Sequence, residues 1–179
     1  MKIRQFGMAV LVLVMLSPAP ARAEGLFKLF LGTSRDEGGN NATYGLGLGA
    51  LAGGIFGFEV DFGISPDFLG ARVEDSNLVT IMGNLVLAVP MGVVRPYVSS
   101  GLGLVRFSVT SPSDLLDFDS NDLGVNMGGG VEGFLTNNIG VIGDIRYFRS
   151  VEKESALLDF SFGGRFNFLR LTAGLTFAF

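Results

Sequence analysis

From residue 24 onward, apolar residues recur at every second position, and this period restricts the fold more than any other feature. In Ile55–Ser65 one face reads Phe56, Phe58, Val60, Phe62, Ile64; the other reads Ile55, Gly57, Glu59, Asp61, Gly63, Ser65. In the last stretch Leu171, Ala173, Leu175, Phe177 and Phe179 alternate with Thr172, Gly174 and Thr176. A period of two belongs to strands, whose successive side chains point to opposite faces, and not to helices. Eight such segments are predicted: Gly25–Thr33, Thr43–Ala52, Ile55–Pro66, Leu78–Val89, Arg95–Val109, Asp122–Leu135, Ile139–Val151 and Arg165–Phe179. Most run about ten residues or a little more, the length a tilted strand needs to cross a bilayer. Short connections (Gly53-Gly54, Pro90–Val94, Thr136–Asn138) alternate with longer ones (SRDEGGNNA, DFLGARVEDSN, TSPSDLLDFDSN, EKESALLDFSFGG). Strict alternation of this kind gives tight turns at one rim of an up-and-down barrel and polar loops at the other.

The start of the chain is different. A basic head (Lys2, Arg4) precedes an apolar run from Met8 to Leu16 and the small-residue site Ala21-Arg22-Ala23. That order describes a secretory signal peptide, residues 1–23, cleaved after Ala23. The barrel domain is then residues 24–179. Cleavage removes Lys2, Arg4 and Arg22, so a net charge of −4 becomes three units more negative. An acidic exported chain does not suggest nucleic acid as a partner. The sequence contains no Cys and no His, which removes disulfides, thiol chemistry and the commonest general base. Neither a catalytic site, nor a cofactor, nor a metal site is expected.

Alternation alone does not say which face is inside. A secreted ligand-binding barrel of lipocalin type would turn its apolar face inward. The polar face decides the reading. It carries Lys28, Glu59, Asp61, Glu132, Asp144, Arg146 and Arg170, interspersed with glycines such as Gly45, Gly47, Gly57, Gly101, Gly128 and Gly130. On an open surface those glycines would only weaken strands. Inside a small barrel they make room for a few long charged side chains, which can pair across the lumen. Aromatics near strand ends (Tyr44, Phe62, Tyr147 at one rim; Phe56, Phe177, Phe179 at the other) match two interfacial girdles. Arg106 falls on the lipid-facing register, which requires either that it snorkel at headgroup height or that a bulge shift the strand.

The signal peptide, the strands RPYVSSGLGLVRF (Arg95–Phe107) and GFEVDFGISPDF (Gly57–Phe68), and the closing LTAGLTFAF carry a family resemblance. Over residues 24–179 the chain resembles the small outer-membrane β-barrels of Gram-negative bacteria, the OmpA-barrel and OmpX-like group. The resemblance implies an all-β, eight-stranded antiparallel up-and-down transmembrane barrel in the outer membrane. It implies that Phe177 and Phe179 form the signal read by the outer-membrane assembly machinery, so that the terminus is recognised or buried. It implies contact with outer-membrane lipid and lipopolysaccharide, a monomer, and outward loops available to an extracellular partner. No peptidoglycan-binding domain is expected after the barrel.

Three constellations could carry function. The lumen set is either a structural ion-pair plug or the path of a narrow pore. Asp114, Asp117, Asp119 and Asp122 could offer oxygens to a hard cation, though their spacing matches no EF-hand. Glu59 and Asp61 could in principle form a carboxylate pair, but their shared strand face is as well explained by the lumen network. The expected role is structural or surface-interaction; the alternatives are a narrow pore and a secreted ligand-binding barrel.

Overall fold

Alternating β-branched and aromatic residues suit a sheet with one face in a different medium from the other. The computed structural model describes residues 23–36, 39–66, 76–109, 118–151 and 167–179. They form β1 (Ala23–Asp36), β2 (Gly39–Ala52), β3 (Phe56–Pro66), β4 (Ser76–Ala88), β5 (Val94–Val109), β6 (Phe118–Phe134), β7 (Ile139–Val151) and β8 (Asn167–Ala178). Each strand pairs antiparallel with the next, and β8 closes onto β1. The described residues contain no helix.

The stagger follows from the register. A row of partners starting at Gly25 passes through Ala50, Phe58, Leu85, Ser100, Met127, Tyr147 and Leu169 and returns to β1 at Arg35, ten residues higher. With strands tilted about 40°, each residue climbs about 2.5 Å along the barrel axis, and each step along a row from β1 towards β8 climbs about 3 Å. Sequence-distant residues are thereby brought to a common height.

The apolar face points outward. Leu31, Leu48, Phe58, Leu85, Leu102 and Leu171 are all exposed, and so are most of their neighbours on that face. An inward apolar face, as a secreted ligand-binding barrel requires, is ruled out by this orientation. The polar set lies inside, as detailed below.

Several sequence expectations change. SRDEGGNNA is not a long loop: Ser34, Arg35 and Asp36 pair with Asn41, Asn40 and Gly39, so only residues 37–38 connect β1 to β2. Polar residues mimic a loop in sequence, but a hairpin continuing above a membrane has water on both faces and needs no apolar stripe. For the same reason β6 begins at Phe118, four residues before the predicted start. Asp119 and Asp122 therefore stand three apart on one strand and not in a loop. Asp114, Asp117 and the segment EKESALLDFSFGG lie outside the described residues. No bulge accompanies Arg106: it pairs with Val79 and Asn121 in unbroken register, between buried Val105 and the rim, and faces outward.

The short rim is made by tight turns. Gly53 and Gly54 both have positive φ (61° and 72°), and Ile55 donates to the Ala52 carbonyl at 3.1 Å. Consecutive left-handed residues favour glycine and match the right-handed twist of the flanking strands. The terminus is not buried, as the sequence had left open. Gly25 and Phe179 exchange backbone hydrogen bonds of 2.9 and 3.0 Å, while Phe179 as a residue is 76% exposed.

Candidate functional site

The site is the lumen. Even-numbered residues of β1, β4, β6, β7 and β8 and odd-numbered residues of β2, β3 and β5 point inward, so the period of two sets its composition. Lys28, Glu59, Asp61, Glu132, Asp144, Arg146 and Arg170 are all buried there.

These side chains form one connected ladder. Arg95 at the short-turn mouth binds Glu24 (2.8 Å) and Glu132 (2.6 Å). Glu132 also meets Lys28 (3.1 Å), and Lys28 meets Glu59 (2.6 Å). The other Glu59 oxygen accepts from Arg146 Nη2 at 2.7 Å. Arg146 holds Asp144 through Nε (2.9 Å) and approaches Asp61 through Nη1 (3.6 Å). Asp61 accepts from Arg170 Nη2 with both oxygens at 2.9 Å. From Glu24 to Arg170 the signs alternate at every step. By the barrel stagger the ladder climbs about 20 Å along the axis.

Uncharged groups complete it. The Tyr97 hydroxyl donates to Asp144, and Asn126 Nδ2 donates to Asn84 Oδ1 at 2.7 Å. The Arg170 guanidinium lies between the Phe30 and Phe148 rings, 4.8 and 4.7 Å from their centroids. Cation–π contacts on both faces compensate a desolvated cation whose hydrogen bonds go to a single carboxylate.

The interior is not polar throughout, which corrects the sequence expectation. Leu26, Leu51, Val86, Ala88, Ile142 and Ala178 cluster beside the lower ladder. Leu78, Met82, Val105, Phe148 and Phe168 cluster at the other end, where Phe148 and Phe168 stack at 4.6 Å. Apolar residues at inward positions near strand ends read as exceptions in a polar series; closing the barrel gathers them. Glycines supply the room. A Cβ on Gly128 would lie 2.7 Å from Arg146 Cγ, and one on Gly63 would lie 2.7 Å from Arg170 Nη1.

The sequence reading missed Arg95, Glu24 and Tyr97. The signal for Arg95 and Tyr97 was present, since they share parity with Gly101 and Gly103. Glu24 stood at the predicted start of the mature chain, where no period is established.

Two internal cavities beside the ladder measure about 10 Å³ each, room for one water molecule. Neither is a channel. At the short-turn mouth an open basin of about 850 Å³, lined by Glu24, Arg95, Phe134, Asn138 and Phe179 among others, ends on the Arg95–Glu24 pair. Among the described residues no group of three acidic side chains could hold a metal ion.

Residues 6–179 match the family described as the outer membrane protein beta-barrel domain. The chain belongs to this family. It is therefore an outer-membrane β-barrel protein. Among solved structures it is similar to Neisserial surface protein A (17% identity, TM-score 0.65, covering 88% of this chain and 97% of that one). It is also similar to the N-terminal barrel of Pseudomonas aeruginosa OprF (18% identity, TM-score 0.60, 87% and 97% covered). A major outer membrane protein of Thermus thermophilus is a third (19% identity, TM-score 0.58, 88% and 99% covered). At these identities the likeness is one of fold. No curated protein sequence matches the chain.

Proposed function

We propose that this outer-membrane barrel is a closed, non-catalytic protein of structural or surface-interaction type, acting as a monomer, and not a pore. The observation that supports this is the ladder of alternating charges filling the lumen from Glu24 to Arg170, capped by the Phe148–Phe168 stack. An ion entering it would have to displace paired, desolvated partners, and each broken pair leaves a buried charge. The absence of His from the whole sequence argues against hydrolytic chemistry of the Ser–His or Asp–His kind. The outward connections are the surface open to an extracellular partner. Export is directed by the signal peptide, residues 1–23, which is cleaved after Ala23 at the Ala21-Arg22-Ala23 site, and Phe177 and Phe179 on the closing strand serve as the signal for the assembly machinery.

Planar-bilayer recording of the purified, folded barrel tests the closed lumen. No steady conductance is expected. Stable open-channel steps would instead favour the narrow-pore reading, with the 850 Å³ basin as its vestibule.

A further inference from the structure

The two small cavities beside the ladder have the same volume, about 10 Å³, but different chemistry. The lower one is walled by Leu26, Leu51 and Val86 around Lys28, Glu59, Tyr97 and Glu132. Its polar groups are already engaged. Lys28 holds both glutamates, which Arg146 and Arg95 complete, and the Tyr97 hydroxyl donates to Asp144. The Lys28 ammonium also lies over the Tyr97 ring, 4.7 Å from its centroid. No buried donor of this cavity lacks a partner.

The upper cavity is bordered by Asp61, Arg146, Arg170 and Thr172, all buried. Two features set this level apart from the rest of the ladder. The first is a slack link. Arg146 Nη1 stands 3.6 Å from Asp61, too far for a hydrogen bond, whereas the other links measure 2.6–3.1 Å. The second is a surplus of donors. Arg146 Nη1 and Arg170 Nε are buried and have no hydrogen-bond partner among the described residues. Arg170 Nη1 is unpartnered too, but it lies on the Gly63 side, 2.7 Å from where a Cβ on Gly63 would stand, and Gly63 does not border the cavity. A buried donor left without an acceptor forfeits the hydration it had in the unfolded chain, which costs more than an ordinary hydrogen bond gains.

A buried water molecule needs about two to four polar partners with hydrogen bonds to spare, and a pocket that lacks them stays dry. Only the upper cavity supplies such partners. Its occupant must accept from two guanidinium donors, and Asp61 and Thr172 offer oxygens to which it can donate. An anion is not called for, because the three bases bordering the cavity (Lys28, Arg146, Arg170) are matched by three carboxylates (Glu59, Asp61, Asp144). We propose that the upper cavity binds one ordered water molecule, held by Arg146 Nη1, Arg170 Nε, Asp61 and Thr172, and that the lower cavity is dry. The water bridges the slack Arg146–Asp61 link, so one rung of the ladder that fills the lumen is solvent and not protein.

The test is solution NMR of the folded barrel in detergent micelles, isotope-labelled at arginine nitrogens and at methyl groups, with magnetisation transferred from water. Cross-relaxation peaks from water are expected at the Arg146 Nη1 and Arg170 Nε protons and not at the Leu26 and Leu51 methyls. Gly47 borders the upper cavity, and a Cβ there would stand 3.5 Å from Lys28 Cβ and 3.7 Å from Glu59 Cδ, which are ordinary contacts. Gly47→Ala therefore has room for its methyl group and should abolish both arginine peaks by displacing the water. Thr172→Val, of nearly equal size but without the hydroxyl, should weaken them several-fold and serves if the alanine variant does not fold. Heat-dependent gel mobility verifies folding of each. Absence of the arginine peaks from the parent overturns the water site. Peaks that persist unchanged in a folded variant place the water elsewhere and overturn these ligands. Peaks of equal strength at the Leu26 and Leu51 methyls overturn the contrast between the two cavities. Arginine resonances that shift when chloride is exchanged for bromide overturn water as the occupant in favour of a halide.

Discussion

Arg146 is where most of the lumen charge converges: it touches Glu59, Asp144 and Asp61 while itself buried. Arg146→Met keeps the bulk and deletes the charge, leaving carboxylates in a low-dielectric space with too few partners. The expected loss is about 3–5 kcal/mol, read from urea unfolding of the barrel in lipid vesicles. Arg170→Met should cost less, because among the described residues Arg170 pairs only with Asp61 and its stacking between Phe30 and Phe148 is partly kept by a thioether. Parent-like unfolding of Arg146→Met would mean the ladder is not structural. Gly130→Ala probes the space around it: the new Cβ would meet the Gly143 carbonyl at 2.2 Å and the Tyr97 hydroxyl at 2.8 Å. The neighbour at 2.2 Å is backbone and cannot simply rotate aside, so a loss of about 1–3 kcal/mol is expected in the same assay. Which residues enter the lumen was readable from parity wherever a period is established, which excludes Glu24. Which of them meet was not: Arg146 and Glu59 are 87 positions apart, and only the closed, staggered sheet brings their side chains within reach across the lumen.

At the scale of elements, the closing seam carries the sharpest prediction. Phe179 adds one backbone pair to the β1–β8 ladder, and its ring, lying against Gly25, remains open to the membrane. Its contribution to the finished barrel is therefore small. Deleting Phe179 should leave unfolding of a barrel refolded in detergent nearly unchanged. The same deletion should lower the heat-modifiable, folded fraction recovered from outer membranes several-fold. Equal recovery of both chains would remove the assembly role from this residue. The strands themselves were legible wherever one face met lipid, as in β3 and β8, because the membrane enforces the apolar stripe. Legibility failed above the membrane. Arg35 and Asp36 continue β1, and Asn40 and Asn41 begin β2, in the same unbroken pairing as the residues below but with no stripe to announce them.

For the whole molecule, the question is which layer seals the lumen. Two candidates are stacked along the axis: the Phe148–Phe168 pair with Leu78, Met82 and Val105 towards the long connections, and the ion-paired ladder beneath. An apolar plug is held by packing alone, and truncating it leaves a void without exposing charge. The ladder is held by pairs that an entering ion must break while still desolvated. Phe148→Ala with Phe168→Ala removes the upper layer and one face of the Arg170 sandwich, yet leaves every ion pair from Glu24 to Arg146 in place. This variant should unfold more easily than the parent, by about 3–5 kcal/mol or more, because two buried rings are lost. It should still show no steady conductance in planar bilayers. If it conducts, the aromatic stack is the seal and the ladder only lines a path, which would move the molecule from a closed barrel towards a gated pore.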